Sequence, residues 1–136
     1  MSNQKRLASD NLIILTQQTK LIPSEGGTIN LADGISLVVP AGALASPAEI
    51  CVALHRRDDS ILFHFEPHGT VFKYPAQLTI PQTCWAESSH NPTLHTYYQS
   101  YEWSQWQLAS FVTWYGTPEV FHIQIPHFSS YYFIRR

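Results

Sequence analysis

In "EICVAL", Ile50, Val52 and Leu54 alternate with Glu49, Cys51 and Ala53, and "AQLTIP" (Ala76–Pro81) repeats the same period of two. Only an extended chain puts every second side chain on one face, so this period predicts half-buried strands. No stretch shows a sustained 3.6-residue period of the kind that builds a long helix. Together these features predict an all-β fold, an antiparallel β-sandwich with Val38, Val52, Leu78 and Phe128 facing inward.

The remaining runs fit that plan. Met1 to Asp10 reads as a loose polar lead, and "NLIIL" (Asn11–Leu15) as a β-prone run and candidate edge strand. "TINLADGISLVVP" reads as a hairpin, Thr28–Leu31 and Ile35–Val39 joined by an Ala-Asp-Gly turn. "AGALASPAE" reads as a loop or one helical turn. "ILFHFE" is a strand stopped by "PHG", and residues 82–93 are a polar loop. "LHTYYQ" and "WQLASFV" read as strands flanking a turn near Glu102. "EVFHIQIP" and "SSYYFI" close the chain.

The chain has 136 residues, enough for one domain with one core. Hydrophobic residues make up 44% and charged residues 13%, a balance that favours a folded globule over a disordered tail. A net charge of -2 with no basic run argues against nucleic acid or an acidic membrane as partner. Cys51 and Cys84 are too few for a disulfide scaffold and lack zinc-site spacing. With no signal peptide or membrane span legible, the expected location is the cytoplasm, with reduced thiols.

Three phrases then fall in a familiar order. "GGTINLADGISLVVPAGAL", "FEPHGTVFKYPAQLTIP" and "IPHFSSYYF" resemble the opening, middle and closing signatures of the ZU-five domain family, named for zonula occludens and uncoordinated-five proteins. The likeness covers roughly Gly26 to Phe133. It implies a ZU-five-like β-sandwich over residues 21–136, preceded by residues 1–20 as lead and candidate edge strand. It also implies a protein-interaction module that works through a protein partner or a neighbouring domain, with a second copy as one candidate. Gly27, Gly34, Gly42 and Gly69 are expected to take angles other residues avoid. In some relatives among death-domain and inflammasome proteins a partner β domain follows and the chain cuts itself before a serine. The sequence ending at Arg136 is expected to be a stand-alone copy.

Candidate chemistry centres on His127, Phe128 and Ser129. On one straight strand His127 and Ser129 share a face, so a neutral imidazole can take the serine proton while the hydroxyl attacks the Phe128 carbonyl. Backbone strain is expected to help such an attack. "HFEPH" places His64, Glu66 and His68 where a straight strand would hold a divalent ion, but the Pro67-His68-Gly69 turn is expected to split them, so neither metal nor cofactor is expected. The run "YYQSYEWSQWQLASFVTWY" offers eight rings that stack on sugars or anchor a protein; half are expected in the core, with Trp106 and Leu108 at a core position. Nucleophile elbows, P-loops and zinc-protease motifs are missing, and Asp58-Asp59 reads as a solvated turn. The leading expectation is a noncatalytic interaction module. The alternatives are a self-processing domain cut between Phe128 and Ser129, and a glycan-binding sandwich.

Overall fold

A computed structural model describes residues 13–56, 60–84, 94–99, 105–117 and 119–135, without the side chains of residues 13–15 and 135. The polar lead, Asp58-Asp59 and the turn near Glu102 lie outside the described residues. The described residues form eleven strands: β1 (Ile13–Ile22), β2 (Gly27–Asn30), β3 (Ser36–Val39), β4 (Ala48–Arg56), β5 (Ser60–Glu66), β6 (Val71–Pro81), β7 (Leu94–Gln99), β8 (Gln107–Leu108), β9 (Trp114–Gly116), β10 (Val120–His127) and β11 (Ser130–Arg135). They form two antiparallel sheets. The six-stranded sheet has the order β1-β4-β5-β11-β7-β8 and the five-stranded sheet the order β2-β3-β6-β10-β9. The all-β expectation holds, and a β-sandwich fits this layering.

Alternation places the core. Ile50, Val52 and Leu54 of β4, Ile61, Phe63 and Phe65 of β5, and Ala76, Leu78 and Ile80 of β6 are buried between the sheets. Strand β3 corrects the inward set: Leu37 and Val39 are buried, whereas Val38 is 37% exposed. Three successive apolar residues satisfy either register by themselves, and pairing of Leu37 with Leu78 on β6 decides which is used. Positive φ falls on Gly26 rather than Gly27, and there a Cβ would collide with the Val39 carbonyl oxygen.

The aromatic stretch also departs from expectation. Strand β8 is two residues long, and none of Tyr97, Tyr98, Trp106, Phe111, Trp114 or Tyr115 is fully buried. Leu108, expected inside, is 62% exposed. The core rings come from elsewhere: Phe63, Phe65, Phe72, Phe121, Phe128, Tyr131 and Phe133. All but Phe128, which lies in the link between β10 and β11, sit on strands with a neighbour on each side in their sheets. Tyr101 and Trp103 lie outside the described residues.

Strand β1 is an outer strand that pairs only with β4. Gln17 to Leu21 are all exposed, and Ile22 enters the core. The edge carries a bulge between Ile14 and Thr16, and Lys20 reaches across to donate to the Thr28 carbonyl at 2.8 Å. Bulges and lysines on an edge oppose pairing with another strand, which weakens β1 as a docking edge. Removing residues 1–20 is expected to leave a folded sandwich with a lower thermal midpoint, because Gln17 to Lys20 are exposed and Ile22 stays in the core. Loss of a cooperative melt in that truncated chain would instead make the strand integral to the fold.

Candidate functional site

The "HFSS" segment is the corner where the chain changes sheets. Strand β10 ends at His127 in the five-stranded sheet, and β11 begins at Ser130 in the six-stranded one. Only Phe128 and Ser129 link them, so His127 and Ser129 do not share one straight strand as expected. The bend starts at Pro126, where the β10–β6 register breaks between Ile125 and His127. Proline gives no N–H to the ladder, which makes it a natural site for such a break. Alternation then fails: Phe128, Ser129 and Ser130 are 1%, 3% and 2% exposed, because both layers close over the crossover.

Packing and backbone bonds hold the corner. The Phe128 ring stacks on Phe65 at 4.9 Å and meets Phe72 edge-on at the same separation. The Phe128 N–H donates to the Thr70 carbonyl at 2.8 Å, and the Gly69 N–H donates to the Phe128 carbonyl at 3.0 Å. The Pro67–Thr70 turn thus grips both sides of Phe128. Among described residues the only non-glycine with positive φ is Asp33, so neither Phe128 nor Ser129 takes a left-handed conformation.

Despite the corner, the two sequence candidates meet. His127 Nδ1 lies 3.2 Å from Ser129 Oγ. Tyr131, which sequence reasoning passed over, adds a second hydroxyl 3.4 Å from the same nitrogen. Its O–H donates to the His127 carbonyl at 2.7 Å. With the phenol proton committed there, the Ser129 hydroxyl lies within hydrogen-bond reach of two acceptors, Nδ1 and the Tyr131 phenol oxygen. Burial lowers the His127 pKa below the ordinary 6.5, against a weaker opposing effect of a Phe128 backbone hydrogen bond. The ring is therefore a neutral base at pH 7. Burial also pushes the Tyr131 phenol well up, keeping it protonated.

Phe111 covers the base. Its ring sits 4.9 Å from the His127 ring, and its outer side faces solvent. Phe111→Ala is expected to admit water and raise the His127 pKa toward 6.5, read by titrating the imidazole carbon-bound proton in NMR. An unchanged midpoint would assign the desolvation to other neighbours.

A second histidine–serine pair was not legible in the sequence, because its members lie far apart in the chain. His64 Nδ1 contacts Ser130 Oγ at 2.8 Å, through direct β5–β11 register. His55 packs edge-on against His64 at 5.4 Å, and its Nδ1 is buried without a partner. The metal set does split: His64 turns to Ser130, while His68 and Glu66 pair with each other at 3.4 Å. No cluster of three metal-ligating side chains occurs among the described residues.

Burial lowers the pKa of His55, His64 and His127 alike. Such groups bind protons more readily in the unfolded chain, so their contribution is full above pH 6.5 and is lost as pH falls through the lowered folded values. Urea midpoints are expected to drop between mildly alkaline and mildly acidic buffer, and less steeply in a His64→Gln chain.

Half-buried rings gather on the outer face of the six-stranded sheet beside the exposed Leu108. Tyr97 and Tyr132 stack at 4.8 Å, Trp106 meets Tyr132 edge-on at 4.7 Å, and Leu108 pairs with Tyr97. No described helix is long and apolar enough to cross a membrane. Compared with known protein families and with curated proteins, the chain matches none, so the ZU-five likeness rests on the three quoted motifs.

Proposed function

We propose that this domain is self-processing and cuts its own chain once, between Phe128 and Ser129. The observation that carries this reading is the 3.2 Å contact between Ser129 Oγ and the neutral His127 Nδ1. Ser129 Oγ attacks the Phe128 carbonyl carbon, and its proton passes to His127 Nδ1. The carbon–nitrogen bond then breaks, and the imidazolium returns the proton to the Ser129 nitrogen. An ester joins Phe128 to Ser129 Oγ until water hydrolyses it, leaving a Phe128 carboxylate and a free Ser129 amine. Without backbone strain the reaction is expected to be slow.

The test is a time course. The full chain is purified in denaturant, folded by dilution and followed by denaturing mass spectrometry. Residues 1–128 and 129–136 are expected to accumulate as the full mass declines. A chain that stays at full mass while folded would sink the reading. Native sizing is uninformative, because β11 lies between β5 and β7 and both hold it by hydrogen bonds.

A noncatalytic interaction module is the second reading, favoured by the outer face of Tyr97, Trp106, Tyr132 and Leu108. Half-buried rings beside an exposed leucine suit a protein partner. A glycan fits less well, since Tyr97 and Tyr132 use their faces on each other. A glycan array is expected to stay blank, and a sugar that binds and is lost on Trp106→Ala would reverse that order. The ZU-five likeness supports either reading, because "FEPHG" and "HFS" meet through the Gly69–Phe128 hydrogen bond.

A further inference from the structure

Resting on the self-processing reading, we infer that the Gly69 backbone N–H is the group that stabilises the oxyanion formed when Ser129 attacks Phe128. The bond that would break has a nucleophile and a base on one side. On the other, the carbonyl oxygen that must take the negative charge accepts from Gly69 N–H at 3.0 Å. A donor already at that separation from the carbonyl oxygen is placed to follow it as it becomes an alkoxide. The surroundings make it effective. Phe65 and Phe72 pack on the Phe128 ring, and the crossover is almost wholly removed from water. In such a setting one fixed dipole acts more strongly than in solvent.

The local backbone explains why glycine stands here. Gly69 has φ +83, yet a Cβ built on it meets nothing within 4 Å. Space does not require glycine; the left-handed conformation favours it, because most other side chains clash with the backbone there. That conformation belongs to the turn in which Thr70 N–H and Thr70 Oγ1 both return to the Pro67 carbonyl, at 3.3 and 2.8 Å. The turn is pinned to itself, and its Gly69 N–H is left pointing at Phe128. During the attack the oxygen turns from carbonyl to alkoxide and back to the ester carbonyl. Gly69 keeps its proton throughout, so it is a donor only and the step balances as written above.

The experiment replaces single backbone N–H groups. The full chain is assembled by ligation with glycolic acid at position 69, which exchanges that N–H for an ester oxygen and leaves every side chain in place. A matched chain carries the same change at Thr70, which removes the Thr70 N–H and its bond to Pro67. Both are folded from denaturant, checked for the native near-ultraviolet spectrum, and followed by denaturing mass spectrometry. The position 69 ester is expected to slow cleavage by about 10²–10³-fold, while the position 70 ester changes it by no more than a few fold. Equal rates for the two esters would overturn the Gly69 assignment and leave self-processing intact. An unmodified chain that stays whole, even with hydroxylamine present to trap an ester, would remove the self-processing reading and this assignment with it. A near-ultraviolet spectrum lost only in the position 69 chain would make Gly69 a structural residue and overturn the inference. Gly69→Ala, which keeps the N–H but strains its direction, is expected to fall between the two esters, and a rate equal to the unmodified chain would count against a directional role.

Discussion

A Ser129→Ala chain is expected to keep its full mass under folding conditions that convert the unmodified chain into residues 1–128 and 129–136. The substitution removes the attacking oxygen and adds no bulk to a buried corner. Ser129→Cys is expected to retain cleavage, since a thiol is also a nucleophile. His127→Ala should slow it by about 10²-fold or more, the scale on which a positioned base acts. Ser130→Ala is expected to leave the cut where it is, because Ser130 bonds to His64 rather than to His127. If Ser129→Ala still yields two pieces, now cut between residues 129 and 130, then the His64–Ser130 pair is the nucleophilic one and the assignment to Ser129 is wrong.

The largest expected stability effect lies beneath the same corner. Phe65 is fully buried, stacks on Phe63 and Phe128, and meets Tyr131 edge-on. Phe65→Ala is expected to lower the unfolding free energy by about 3–5 kcal/mol through lost burial and the cavity left behind. Val38→Ala, at a position predicted inside but found half-exposed, should cost under about 1 kcal/mol. Urea denaturation of the two variants measures both. Similar losses would show that the face of β3 or the centre of the core is wrongly assigned.

The contrast between those residues shows what the sequence could reveal. The faces of β4 and β6 were legible because polar and apolar residues alternate there without ambiguity. At "SLVV" the same logic fails, since Leu37, Val38 and Val39 are all acceptable inside. The tyrosine- and tryptophan-rich stretch was misread for another reason: ring content says nothing of whether a strand is central or peripheral, and here β7, β8 and β9 approach the sheet margins. His127 and Ser129 were legible as neighbours, but their meeting depends on a corner after Pro126 and not on strand periodicity. Gly69, Phe111, Tyr131 and His64 gained their places only through tertiary contacts. Two of the three family-like motifs converge on Phe128, a proximity that motif order alone does not convey.

The placement of β11 has a mechanical consequence. It lies inside its sheet, in register with His64 to Ser60 of β5 on one side and Gln99 to Leu94 of β7 on the other. Tension along this strand would load both ladders in shear, so many hydrogen bonds resist together instead of opening one after another. After a cut at the corner, the same two ladders, with the buried Tyr131 and Phe133 rings, would hold it in place. The strand would then behave as a clamp that is stable at rest and released only by sustained pulling or by a competing strand that takes its slot between β5 and β7.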